Sequence, residues 1–101
     1  MKKIITAGLC NNRHDIPVDD YVFGDNIKDP TNVSLLEKQT KSWLKSKFQN
    51  QDKQKKVLRL YVTGLTPALI ATINAAHKQG IKVILFHYNR VTNDYFPQKV
   101  Y

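Results

Sequence analysis

Leu58–Gly80, LRLYVTGLTPALIATINAAHKQG, decides the fold, because an apolar strand runs there into a Gly-Leu-Thr-Pro turn and then into a helical pattern closed by glycine. Thr66 reads as the helix cap, Pro67 as its first position and Gly80 as its end. Leu69, Ile70, Ile73 and Ala76 form the expected inner face of this helix. Val57–Thr63 shows little polar alternation, which predicts a strand buried on both faces beside a parallel neighbour. Downstream, Ile81–Tyr88 reads as another mostly apolar strand, and Val91-Thr92-Asn93-Asp94 turns it into a closing strand over Tyr95–Tyr101. A right-handed crossover through the helix makes the two apolar strands parallel, with ligands expected at their carboxyl ends.

Upstream, Lys2–Gly8 reads as a short strand, followed by the polar loop Asn11-Asn12-Arg13-His14-Asp15. Asp20–Phe23 is a further short extended piece before Gly24-Asp25-Asn26 turns the chain. Asp29-Pro30 has the form of an N-cap followed by proline at the first helical position, with helix to about Gln49. Val33, Leu36, Thr40, Trp43, Leu44 and Phe48 make one apolar stripe, with Trp43 as a core anchor. Asn50–Lys56 carries no apolar side chain and reads as a mobile loop. The predicted fold is therefore a small α/β single domain over residues 1–101: a mixed, partly parallel sheet flanked by two helices, with a C-terminal β-hairpin.

Composition narrows what such a domain can do. The chain has 101 residues, 42% of them hydrophobic, enough for one core and too few for a separate catalytic domain. No run is long enough to span a bilayer, and the first ten residues are too soon interrupted by Asn-Asn-Arg-His to act as a secretion signal, so a cytoplasmic location without membrane contact is expected. Cys10 is the lone cysteine, which excludes an internal disulfide and leaves no zinc-ligand spacing. No metal or other cofactor is expected.

The net charge of +8 is concentrated in the middle, where Lys38, Lys41, Lys45, Lys47, Lys53, Lys55, Lys56 and Arg59 face only Asp52. Such a run attracts polyanions and equally keeps a helix face and a loop solvated. It lacks the interleaved arginines and aromatics that stack on bases, so nucleic acid is not the expected partner.

The turn Thr63-Gly64-Leu65-Thr66 opens a helix whose first amides have no partner of their own, and the positive end of the helix dipole adds to them. One glycine is neither a dinucleotide fingerprint nor a Walker loop. Its neighbours strengthen the signal: the hydroxyls of Thr63 and Thr66, Asn74 along the same helix, and His87, Tyr88 and Arg90 carried by the next strand to the same sheet end. Arg90 has the planar donors that phosphate recognition uses. Arg13 and His14 reach the same rim from the first loop, although Asp15 and Asp19 equally suit Arg13 as surface partners. Alternation puts Phe86 and Tyr88 on one strand face and His87 and Asn89 on the other. A lone strand histidine is more often a hydrogen-bonded structural residue than a catalyst. His14 and His87 have no identifiable acid–base partner, and the single glutamate, Glu37, lies in the lysine-rich helix, so binding without catalysis is the expectation.

The segments NNRHDIPVDDYVF, LYVTGLTPALIATINAA and ILFHYNRVTNDYFPQKV together resemble small phage-encoded Thoeris anti-defence proteins of the first Tad type, over nearly all of the chain except Lys38–Lys56. The resemblance implies a sponge that sequesters a cyclic nucleotide immune signal, notably glycocyclic ADP-ribose and in some members cyclic oligonucleotides, without cleaving it. It implies a homo-oligomer, a dimer or an assembly of dimers, in the host bacterial cytoplasm. Carried onto this chain, it implies that Arg13 and Arg90 clamp phosphates, that Asn74 and the Gly64 turn line the pocket, and that an aromatic such as Tyr88 or Tyr95 stacks on the base. A ring-nuclease-like enzyme and a basic nucleic-acid-binding phage protein are the alternatives. The ligand is expected near a subunit boundary, with the closing strand as one pairing surface, although Pro97 interrupts its ladder and suits edge protection as well.

Overall fold

A computed structural model describes residues 2–11, 16–18, 20–25, 27–48 and 55–100. It is an α/β domain of strand β1 (Lys2–Gly8), helix α1 (Val33–Lys47), β2 (Lys55–Tyr61), α2 (Thr66–Lys78), β3 (Lys82–Asn89) and β4 (Asp94–Lys99). The sheet order is β1-β2-β3-β4, with the first three strands parallel and β4 antiparallel to β3. Both crossovers step one strand in the same direction, so right-handed connections lay both helices on one face.

Burial follows that layout. Leu58 and Leu60 of β2 and Val83 of β3 are fully buried, with Leu85 close behind, and they pack with Ala7, Leu44, Phe48, Ala75 and Ala76 in one core. The intervening residues Val57, Arg59 and Tyr61, and likewise Ile84, Phe86 and Tyr88, belong to the opposite face, where the alternation keeps them half-buried or exposed. The expectation that β2 is buried on both faces is therefore corrected: apolar side chains occur on both sides, but helices cover only one. The strand also begins and ends two residues earlier than expected, so Lys55 and Lys56 belong to β2, while residues 50–54 lie outside the described residues.

Helix α1 starts later than the Asp29-Pro30 pattern suggested. Asn32 is the cap, its side-chain oxygen accepting from the Leu35 amide at 3.2 Å. Asp29 instead accepts from the Thr31 hydroxyl at 2.6 Å and the Thr31 amide at 3.0 Å, a local turn that competes with helix. The Thr31 hydroxyl, then its amide, hold the Asp29 carboxyl below its ordinary value. Leu36, Thr40, Leu44 and Phe48 are buried as the stripe predicted, Trp43 packs against the core, and Val33 is exposed.

On α2 the buried positions are Ala68, Ala71, Thr72, Ala75 and Ala76. Leu69 and Ile73 pack at the margin of the core, whereas Ile70 is half exposed and not on the inner face. Small residues along this side let α2 lie close to the sheet and to α1. Gly80, at φ 71°, ends the helix in the left-handed conformation as expected.

The loop after β1 folds back on the strand. Tyr21 forms a parallel bridge with Gly8, whose amide donates to the Asp20 carbonyl at 2.9 Å and whose carbonyl accepts from the Val22 amide. A side chain at Gly8 would run into Ile16 and the Tyr21 ring.

The other sheet edge, β4, is blunted. The Val100 amide donates to the Val83 carbonyl, and the β3–β4 register then turns the backbone groups of residues 95, 97 and 99 away from β3. Pro97 has no amide to offer, and the Tyr95 amide donates to Asp94 Oδ1 at 2.8 Å. Two of the three outward donors are thus withdrawn, which disfavours β4 as a strand-pairing surface.

Asn32→Ala should lower stability by about 1 kcal/mol in a urea melt, and Asp29→Ala should cost clearly less. Equal losses would return the cap to Asp29.

Candidate functional site

Residues expected to converge are distributed by the strand alternation over two faces of the sheet and one end of it. At the carboxyl end of β2 the chain passes through Thr63, Gly64 at φ 85° and Leu65 at φ 54° before α2 begins. Leucine in the left-handed region is uncommon, with a cost of about 1–2 kcal/mol. The half-buried Leu65 side chain offsets this by packing against both core clusters, one of which joins Leu36 of α1 to Ala68 and Ala71 of α2.

Leu65, not Thr66, is the N-cap residue, and no side chain caps the helix. The first ladder bond runs from the Leu69 amide to the Leu65 carbonyl. The amides of Thr66 and Ala68 precede it, Pro67 having none. Thr63 is 7% exposed, and its hydroxyl oxygen is buried without a hydrogen-bond partner. A buried hydroxyl left unpaired costs about 1–3 kcal/mol, a cost that a hydrogen-bonding partner would remove. Two amides without ladder partners, a helix N-terminus and a buried unpaired hydroxyl thus fall within the six residues Thr63–Ala68, a combination of donors that suits an oxyanion such as a phosphate.

His87 lies on the helix-covered face, where its Nε2 is 2.8 Å from Gln98 Oε1 and its ring packs at 5.3 Å from Phe96. It has the structural engagement that a strand histidine usually has. Arg90 is exposed in the hairpin loop, at the same end of the sheet as the Gly64 turn. Asn74 is exposed and eight residues along α2 from Thr66, about 12 Å up the helix axis. That rise sets Asn74 apart from the turn. Arg13 and His14 lie outside the described residues.

Tyr88 and Tyr95 stand on the uncovered face, away from the helices. They are directly paired across β3 and β4, with ring centroids 5.3 Å apart at 64°. Tyr61 stacks on Phe86 at 5.1 Å and 15°, and meets the Tyr95 ring edge-on at 4.8 Å. The Arg59 guanidinium lies over Phe86, 4.8 Å from its centroid. Tyr88 donates to Asn93 Oδ1 at 2.8 Å. The aromatic surface and the oxyanion cradle are therefore separate features, because successive strand residues point to opposite sides.

Sequence reasoning missed Arg59, Tyr61 and Phe86 as a surface cluster. The signal was present as the i, i+2 spacing of Arg59 with Tyr61 and of Phe86 with Tyr88. Aliphatic residues on both faces of β2 hid it.

Among the described residues no group of three His, Cys, Asp or Glu side chains is placed to hold a metal ion, and no helix is long and apolar enough to cross a membrane. Cys10 is buried and free. Comparison of the chain with known protein families, with characterised proteins and with solved structures finds no match.

Burial pushes the Tyr95 phenol above its ordinary value, and Tyr61 and Tyr88 add to the shift. A raised folded-state value means that this contribution to stability is complete below the ordinary tyrosine range and is lost as pH rises through the raised value. Tyr95→Phe should remove that alkaline loss in denaturant melts taken across high pH. An alkaline loss identical to that of the unsubstituted protein would place its origin elsewhere.

Proposed function

We propose that this protein binds a cyclic nucleotide signal of the glycocyclic ADP-ribose kind and holds it without cleavage, countering TIR-linked immunity of the Thoeris type. The observation that carries the reading is the buried, unpartnered Thr63 hydroxyl beside the uncapped start of α2. A pyrophosphate or phosphodiester supplies the acceptor oxygens this cradle lacks, and Arg90, at the same sheet end, supplies a charged fork. The resemblance to the anti-defence sponges supports the choice of ligand class. In the same proposal a second copy of the chain walls the site. It docks elsewhere than along β4, whose outward donors are mostly taken.

Sequestration asks for affinity without turnover. Incubation with a panel of cyclic nucleotides, followed by separation and heat denaturation of the protein, should return the bound ligand chemically intact. Linear or hydrolysed product growing with time and protein amount would overturn sequestration in favour of a ring-nuclease activity.

Thr63→Val tests the cradle itself. Removing an unsatisfied hydroxyl at nearly constant volume should leave stability unchanged or raised, while weakening ligand binding about tenfold in calorimetry. Arg90→Ala should weaken binding by about ten- to a hundredfold, the scale of a hydrogen bond to a charged group, with little effect on folding. Full affinity in both variants would place the ligand away from this turn. Sedimentation with and without ligand reads the second copy: a strictly monomeric species binding at full affinity would remove it from the proposal.

A further inference from the structure

The uncovered face of the sheet carries chemistry that the turn does not use. Its residues follow from register in rows across the strands. The lowest described row offers Lys55, and the next holds Ile4, Val57 and Lys82. Above them come Thr6, Arg59, Ile84 and Lys99, then Tyr61, Phe86 and Pro97, and finally Tyr88 and Tyr95. The face thus grades from cations at one end to aromatic rings at the other. Between them, Ile4, Val57, Arg59, Ile84, Phe86, Pro97 and Lys99 line a shallow depression of about 500 Å³.

Parallel strands are normally covered on both sides, so a bare face of this kind asks for an occupant. Charge decides which. The face carries Lys55, Arg59, Lys82 and Lys99 and no acidic side chain among the described residues, since Asp94 shares the parity of the helix-covered side. A second copy laid on the same face would bring cations against cations. A polyanion with flat apolar groups meets both halves of the gradient.

We propose that this face binds single-stranded nucleic acid, with a base stacked on the exposed Tyr88 ring beside Tyr95 and phosphates drawn by Arg59, Lys99, Lys82 and Lys55. Tyr88 is 48% exposed and Tyr95 stands edge-on to two other rings, so an unpaired base finds an open π-surface at the upper end of the sheet. Arg59 already lies over Phe86, showing the cation–ring geometry that bases and guanidinium groups share. A duplex keeps its bases stacked on one another and cannot use the rings, so the surface distinguishes single strands from double. The site is separate from the Thr63 turn and stands or falls independently of it.

Fluorescence anisotropy with a labelled single-stranded oligonucleotide, at several salt concentrations, tests the proposal on the full chain. Saturable binding that weakens with salt is expected, at least about tenfold tighter than for the matching duplex. Tyr88→Ala should reduce affinity about tenfold, the scale of one lost base–ring stack. Lys82→Ala with Lys99→Ala, both at exposed positions, should lower the slope of log affinity against log salt by about 0.7 for each phosphate contact removed. Lys38→Ala with Lys41→Ala on α1 should leave affinity and slope unchanged. Three results would overturn the proposal: no saturable binding at low salt, loss of binding through the α1 lysines instead of the sheet lysines, or self-association in sedimentation that Tyr88→Glu abolishes, which would give the face to a second copy.

Discussion

Consecutive parallel pairing of β1, β2 and β3 is the constraint on which the rest of this structure depends. Each crossover returns to the neighbouring strand in the same direction, and the right-handed path of such a connection leaves α1 and α2 no choice of side. The helices meet each other over one face, and their small and aliphatic residues close the core against Leu58, Leu60, Val83 and Leu85. Among the described strands none reverses the order of winding, so they form no crevice between oppositely wound halves of the kind that receives ligands in doubly wound folds.

The turn before α2 is shaped by competing demands. Leu65 adopts a left-handed backbone and is kept there by side-chain packing between both helices, while the same geometry leaves the start of α2 uncapped and the Thr63 hydroxyl unpartnered. Core packing thus maintains a polar deficit at the sheet's carboxyl end. Donors without acceptors are what an oxyanion would satisfy.

The one-sided core has its counterpart in the treatment of the open surfaces. Along β4, proline and an aspartate-bound amide discourage strand addition, and at the top of β1 the returning Tyr21 segment takes the backbone of Gly8. The broad face instead retains rings that pack mainly on one another and cations that, among the described residues, no carboxylate pairs with. Ion pairs occur elsewhere, at Lys47 with Asp20 and Lys78 with Glu37, where they tie α1 to the β1 loop and to α2. Exposed pairs of this kind contribute at most about 1 kcal/mol each.

Much of this was legible in the residues alone. The strand at Lys2–Gly8, the helical stripe of Leu36, Thr40, Leu44 and Phe48, the stop at Gly80 and the closing hairpin follow from local periodicity and turn chemistry, which act over a few residues. The turn before α2 was visible for the same reason, although the cap read at Thr66 is Leu65 and carries no capping side chain. The start of α1 was misread because Asp29 and Asn32 are both competent caps, and the choice fell to the Asp29–Thr31 turn. What only the tertiary structure decided was sidedness: that β2 has one bare face, that the face of His87 is the covered one and that of Tyr88 the bare one, and that Asn74 rides two helical turns from the Gly64 turn. Alternation tells which residues share a face, whereas which face is covered depends on where the crossovers lay the helices, and that is set by the order of strands in space.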